Sequence, residues 1–341
     1  MKAITQNTYG STEVLALREI DRPEIGPGEV LVRVIAAGVN PADWAVMSGL
    51  PYIARPIYGL PRPKTPVRGT DVAGIVEAVG ADVTRFAPGD EVFGSASGSY
   101  AEFAAASEDA LVTKPTTIGF EQAASVAMAG QVAVLALIRH GKVGPGQKVL
   151  INGASGGIGT FAVQIANALG AHVTAVASAR NQELMRSIGA DAVIDYATED
   201  FTRNGVQYDF ILDNVSNHSL SDLRRALTPA GMLVPNGGNF TNRWFAGGGR
   251  TMRAVILSQF VGQKLQTSIQ SNDLENLTLL RDMLEAGTVR PVIDRVFPLR
   301  DAAGALAHVG EGHARGKTVI SLVALPATAT PAAAATDTVA A

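Results

Sequence analysis

The sequence predicts an α/β protein, in which a β-rich unit precedes a doubly wound parallel sheet. Three observations carry this. The first third of the 341 residues is broken into short alternating apolar runs by Gly and Pro, as in "PGEVLVRVIAAGVN", "DVAGIVEAVG" and "PGDEVFG". From Phe120 onward, apolar residues at helical spacing alternate with short continuous apolar runs. At Ile151–Ala171, "INGASGGIGTFAVQIANALGA", such a run meets a knot of glycines and a helix follows at once.

The elements follow in order. The β-rich unit ends near Pro115, and helical spacing covers Phe120–His140. Lys148–Asn152 is a strand, Ile158–Leu169 a helix, His172–Ala177 a strand and Asn181–Ile188 a helix. Strands are expected at Ala192–Asp195, Asp209–Asp213 and Met232–Pro235, with a helix at Leu220–Leu227 before the last of them. "NFTNRWFAGGGR" is expected to be a long loop, of a length that suits a lid or an interface. Leu274–Ala286 is a helix, and "PVIDRVFPL" and "GKTVISLV" return to strand character, so that the first unit is discontinuous. The stretch 324–341 is almost wholly Ala, Thr and Pro, cannot bury a face, and is expected to be a disordered tail.

Composition excludes whole classes of function. Net charge is −3, which offers no field for nucleic acid. The chain has no cysteine, so disulfides and thiolate metal sites are excluded. No apolar run is long enough to span a bilayer, and the start has no apolar core of a signal peptide. A cytoplasmic protein without a membrane or nucleic-acid partner is expected.

A helix that starts on glycines presents unpaired amides and the positive end of its dipole, a fit for a pyrophosphate. The common spacing is G-x-G-x-x-G. Here Ala154, Ser155, Gly156, Gly157, Ile158 and Gly159 occupy it, with Gly153 in front. Gly156 would let the phosphates approach, Gly159 would let the helix pack on its strand, and Ala154 makes the turn a variant of the pattern. An NAD site usually has an acid about 20 residues on, at the tip of the second strand. That tip holds Ser178, Ala179 and Arg180, a hydroxyl and a guanidinium that suit a 2′-phosphate, so NADPH is the expected cofactor. Arg180 is otherwise a solvated helix-start residue, and Glu183, a turn further on, is expected to face solvent.

"KVGPGQKVLINGASGGIGTFAVQIANALGAHVTAV" and "GADAVIDYATEDF" resemble the medium-chain dehydrogenase/reductase superfamily, nearest its zinc-free quinone oxidoreductase (zeta-crystallin-like) branch. "YGSTEVLAL", "PGEVLVRVIAAGVNPADW", "GTDVAGIVEAVG" and "FAPGDEVFG" extend the likeness over roughly residues 1–323. The resemblance implies a GroES-like domain (1–120), a Rossmann NADP-binding domain (121–265) and a return segment (266–323) that completes the first, with the active site between the domains. It implies a homodimer through the edge of the cofactor sheet. Where zinc members of the superfamily place ligands, this chain has "GVNPADW" and Thr70–Asp71, and its five histidines show no ligand spacing.

The expected activity is hydride transfer from NADPH, without metal, to a small planar apolar acceptor, a quinone or an enone. An enoyl-thioester reductase or a non-catalytic NADPH-binding protein is the alternative. By the resemblance, Asn40 donates to a cofactor or substrate oxygen or else holds a turn, Asp43 orients its loop, and Tyr52 supplies a proton or forms an aromatic wall. Tyr58 is a second phenol on that loop. Tyr196 would lie against the adenosine 2′-phosphate or adenine, Asn214 and Val215 along the cofactor, and Gly237 and Gly238 beside the nicotinamide. Val132 stands where the family has a Thr, so that hydroxyl contact is lost or Gln131 beside it replaces it. Arg315 and Lys317 either steer phosphate or form a solvated face, and the solvated face is the preferred reading.

Overall fold

The computed structural model describes residues 1–236, 243–244, 248–266, 273–312 and 314–323. β1 (Lys2–Thr5) and β2 (Ala16–Glu19) form an antiparallel ribbon. β3 (Glu29–Val39) is the spine of the first sheet, pairing antiparallel with β4 (Asp71–Val79) and with β6 (Phe103–Ser107). β5 (Glu91–Ser95) pairs with β4, and β7 (Leu111–Thr113) with β5. The alternation of β3 explains its placement. Val30, Val32 and Val34 enter a core with Val72, Val76, Val92 and Leu111, while Arg33 faces water. From Ala36 to Val39 every residue is buried. There the helix Phe120–Ala124 lies so close that a side chain on Gly38 would meet the Ala124 carbonyl at 2.3 Å.

The second sheet contains β8 (Lys148–Asn152), β9 (His172–Ala177), β10 (Ala192–Asp195), β11 (Tyr208–Asp213), β12 (Leu227–Pro235) and β13 (Lys264–Leu265). All its pairs are parallel, in the order β10-β9-β8-β11-β12-β13. Strand order reverses between β8 and β11, and in sheets of this kind ligands bind beyond the carboxyl ends at such a point. The helix Gly157–Ala168 follows β8 and buries Phe161, Ala162, Ile165 and Ala166. β14 (Ile293–Pro298) then pairs with β15 (Lys317–Ser321), and β15 pairs antiparallel with the buried end of β3. The chain thus returns to the first sheet.

Two expected elements differ. The helical stretch Phe120–His140 is three pieces. Phe120–Ala124 ends where the Ser125 hydroxyl donates to the Gln122 carbonyl (2.7 Å), Ala127–Val134 follows, and Leu135–His140 widens into a π turn. The stretch expected as a Gly-rich loop contains a helix start, since Gly248–Ser258 is helical, with Ala254 buried and Arg253 exposed. Its apolar face offsets the poor propensity of its first residues. The 324–341 stretch lies outside the described residues.

Candidate active site

The glycine turn divides its tasks residue by residue. Gly153 adopts a left-handed conformation (φ 75°), and a Cβ there would meet Val215 Cγ2 at 2.7 Å. Ala154 is fully buried in the core, with its amide donating to the Val176 carbonyl (3.1 Å). Gly156 opens the helix with its amide on the Gly153 carbonyl (3.2 Å), and its carbonyl accepts from Thr160 N (3.0 Å). A Cβ on Gly156 would have only the Gly153 carbonyl nearby, at 3.5 Å, so the glycine leaves room on its outer side. At Gly159 a Cβ would meet the Gly153 and Ala154 carbonyls at 2.3 and 2.5 Å. Ser155, Gly157 and Ile158 are half-buried along the same turn. The residues present fit a dinucleotide pyrophosphate.

Ser178 follows β9 and Tyr196 follows β10. Ala177 and Asp195 are register partners, so Ser178 and Tyr196 lie one step beyond a paired strand end. Ser178 Oγ accepts from Asn181 Nδ2 (3.2 Å), Arg180 is exposed beside it, and the Tyr196 ring is exposed. Glu183 is exposed on the next helix, as expected.

At the switch point, Asp213 is fully buried. Its Oδ1 accepts from Asn152 Nδ2 (2.8 Å), Val215 N (3.3 Å) and Ser216 N (3.2 Å), and its Oδ2 from Arg250 Nη2 (2.7 Å). This ties the ends of β8 and β11 together. Asn214 accepts from Asn236 Nδ2 (3.0 Å), while its own Nδ2 is buried without a hydrogen-bond partner, a donor set where a cofactor would pass. Val215 is exposed over the turn. Gly237 and Gly238 lie outside the described residues.

Beneath the turn lies a buried polar knot. Asn40 follows β3 and caps the helix Pro41–Ser48, whose Asp43 Oδ2 accepts from Asn40 N (2.9 Å). Asp43 thus holds the backbone amide of Asn40. Its carboxylate also accepts from Tyr100 Oη (3.0 Å) and Thr70 Oγ1 (3.3 Å). Asn40 Nδ2 donates to Asp71 Oδ2 (3.0 Å), and Asp71 Oδ1 accepts from Met128 N (3.2 Å). Lys317 Nζ donates to Asn40 Oδ1 and stands 3.7 Å from Asp71 Oδ2. Asn40, Asp71 and Lys317 are 2%, 0% and 3% exposed. The expectation of a solvated Lys317 is thus corrected, because its strand is covered by the glycine turn and its ammonium is neutralised inside. Arg315 is exposed. Burial, with the nearby Asp71 charge, pushes Asp43 up to about 6. Burial raises Asp71 and lowers Lys317, and each opposes the other's shift through their attraction. Tyr100 is held well above its ordinary value by burial and by Asp43.

Tyr52, in the first unit, meets Arg243 and Trp244. Tyr52 N donates to the Arg243 carbonyl (2.8 Å) and Ile53 N to the Trp244 carbonyl (3.2 Å). The Tyr52 and Trp244 rings meet edge to face at 5.2 Å, and the guanidinium groups of Arg55 and Arg243 lie 4.7 and 5.6 Å from the Tyr52 ring centre. Tyr58 is half-buried on the same loop. Gln131 holds a helix start, its Oε1 accepting from Asp273 N (3.0 Å), and Val132 is buried beside it. Sequence reasoning missed Arg68, Tyr100 and the buried role of Lys317. Arg68 is 3% exposed, and its Nη2 donates to Thr65 Oγ1 (3.0 Å).

Residues 26–116 match the family model of the alcohol dehydrogenase GroES-like domain, and 188–320 that of the zinc-binding dehydrogenases. The chain is 34% identical to the chloroplastic quinone-oxidoreductase QR1 of Triphysaria versicolor, over 94% of this chain and 98% of that one. The chain belongs to the medium-chain dehydrogenase/reductase superfamily, among its quinone oxidoreductases. The mitochondrial NAD(P)H oxidoreductase RTN4IP1 of Mus musculus is 35% identical, with 95% and 89% of the two chains covered. The quinone oxidoreductase structure from Coxiella burnetii superposes with a TM-score of 0.84 at 28% identity, over 95% and 99%.

As a member of this superfamily the chain is an oxidoreductase. Where its zinc-bearing members place ligands, Asn40, Thr70 and Asp71 are engaged with Lys317 and Asp43. An ammonium inside the donor set opposes a second cation there, so these residues do not fit a zinc ion. Among the described residues, no group of three His, Asp or Glu side chains could hold a metal. Among the described residues, no helix is long and apolar enough to cross a membrane.

Proposed function

We propose that the protein is an NADPH-dependent reductase of quinones or enones that works without a metal. The observation that carries this reading is the glycine turn, set at the switch point directly over the Asn40–Asp71–Lys317 knot. The dinucleotide supplies a hydride when bound. Gly156, Gly157 and Ile158 would hold its pyrophosphate on the helix N-terminus. Ser178, Arg180 and Tyr196 would hold the adenosine 2′-phosphate end, and Asn214 and Val215 the nicotinamide half.

With no Lewis acid at the acceptor oxygen, a conjugated acceptor is the easier substrate, since the negative charge spreads as hydride adds to its far carbon. Asn40 donates a hydrogen bond to the oxygen, Tyr52 closes the acceptor side with Trp244 and supplies the proton, and the two loops exclude water. The reading includes a planar apolar acceptor, a homodimer and a cytoplasmic location.

The test is oxidation of NADPH and of NADH by the purified protein at one fixed quinone, followed by a series of enones. Turnover with a preference for NADPH supports the reading. NADPH binding without turnover on any acceptor leaves a non-catalytic binding protein.

One observation favours a second reading, an enoyl-thioester acceptor. Between Asp43 and Asp71, and between Asp222 and Asp273, the chain has no carboxylate, while Arg55 and Arg243 flank Tyr52. Such a collar suits the phosphates of a coenzyme A thioester. A higher kcat/KM for a 2-enoyl-CoA than for the matching simple enone, lost in high salt, would select it.

A further inference from the structure

Lys317 runs from the return strand past the glycine turn to the end of β3. A Cβ on Gly157 would meet Lys317 Cδ at 2.9 Å, so the stem lies against the first residue of the cofactor helix. Next to it, Gly316 N donates to the Ser155 carbonyl (2.8 Å), and Gly156 and Gly316 form a parallel bridge. The ammonium then reaches the Asn40 Oδ1 and the Val39 carbonyl (3.4 Å).

We propose that Lys317 is a positioning residue, which locks the amide of Asn40 so that its remaining N–H serves the acceptor oxygen and ties that orientation to the dinucleotide turn. The proposal rests on the reading of Asn40 as a donor.

The chemistry of the three groups leaves one arrangement. An asparagine amide has two orientations of nearly the same shape, with oxygen and nitrogen exchanged. An ammonium only donates and an ionised carboxylate only accepts. The Asn40 oxygen must therefore face Lys317, and its nitrogen must face Asp71. The reverse orientation sets NH₂ against NH₃⁺ and a carbonyl against a carboxylate, in a place with almost no water to screen either. One Asn40 N–H is thereby used on Asp71, and the other is left in a fixed direction. Asp43 fixes the backbone of the same residue through Asn40 N. Arg68 is a further charge near Asp43, and Lys317 attracts Asp71 first and Asp43 after it.

Lys317 also touches two elements that lie far apart in the sequence. Its stem touches the turn that would hold the pyrophosphate, and its head touches the residue that would hold the acceptor. Truncating Lys317 together with Asp71→Asn is expected to uncouple the two sites without stranding a buried charge.

The experiment is steady-state kinetics with one quinone on five proteins: wild type, Lys317→Met, Lys317→Arg, the double variant Lys317→Met/Asp71→Asn, and Asn40→Ala. The double variant covers the case in which Lys317→Met strands a buried carboxylate and fails to fold. NADPH affinity is read by fluorescence titration, and the isotope effect from NADPH deuterated at the transferred position. The expected result is a kcat lower by about tenfold or more in Lys317→Met and the double variant. NADPH affinity should stay within about threefold, the isotope effect should rise, and Lys317→Arg should recover most of the loss.

A merely structural lysine would instead lower stability and NADPH affinity together and leave the isotope effect unchanged, which overturns the proposal. If Asn40→Ala loses kcat while the double variant keeps it, the Lys317 proposal alone falls. If Asn40→Ala keeps kcat, the donor reading of Asn40 falls and the proposal falls with it.

Discussion

Gly153 carries the left-handed backbone of the dinucleotide turn, and Ala154, the next residue, is packed in the core without any exposed surface. The alanine is thus no defect in the glycine pattern. The conformational demand has moved one residue toward the strand, and the methyl group fills space under the turn. Ala154→Gly is expected to keep NADPH binding and to lose about 1 kcal/mol of stability. Gly153→Ala must accept a positive φ and a contact with Val215, and is expected to lose more than about 2 kcal/mol and to weaken NADPH binding. Thermal melts and NADPH titration of both variants check the contrast.

The pH dependence of stability tests the buried knot. Asp43 titrates at about 6 in the folded state and at 3.8 in a model peptide. As pH rises between these values the unfolded chain releases the proton first, so the folded state binds more protons. Stability on this account is fully present below about pH 4 and is lost as pH rises through about 6, by roughly 3 kcal/mol. Asp71, raised by its burial, adds to the same slope, and Lys317, Tyr100 and Arg68 are the other ionisable groups around it. Asp43→Asn is expected to flatten the fall. Urea unfolding from about pH 4 to about pH 7 measures it.

Cofactor preference tests the tip of β9. Arg180→Glu places a carboxylate where the proposed 2′-phosphate lies. It is expected to lower kcat/KM for NADPH by about ten- to a hundredfold and to leave NADH nearly unchanged. Equal losses with both cofactors would show that Arg180 does not hold the 2′-phosphate.

The collar separates proton supply from packing. Trp244→Ala removes the ring that meets Tyr52 edge to face, and is expected to raise the acceptor KM about tenfold with NADPH affinity unchanged. Tyr52→Phe keeps that contact and removes the hydroxyl. A fall of about a hundredfold in kcat at unchanged KM is expected if the phenol supplies the proton. A wild-type rate would leave the ring as a wall.

Much of the parallel sheet was legible because its strands are short apolar runs with turn residues after them, Gly153 after β8 and Ser178 after β9 among them. Lys148–Asn152, His172–Ala177 and Ala192–Asp195 form at the residues expected. The helix Gly248–Ser258 was not legible, since its glycine-rich start argues for a loop and its burial comes from one contact face. Asn40 and Asp43 could be named from the loop they occupy. Their partners could not, for Asp71, Tyr100 and Lys317 lie 31, 57 and 277 residues away from the atoms they meet. Lys317 in particular sits in a short segment with Arg315, where local composition speaks for solvent.

The separation of Asn40 from Lys317 sets an order of events during synthesis. At about 5–20 residues per second, roughly fourteen to fifty-five seconds pass between the synthesis of one and of the other. Over that time the nascent first sheet holds Asp71 without its ammonium, and residues Ala36–Val39 without the strand that pairs with them. An open strand edge beside an uncompensated carboxylate resists premature closure and invites wrong pairing. The first sheet is therefore completed late, when the return strand arrives. Until then the glycine turn and the Asn40 loop belong to two half-finished folds on one chain.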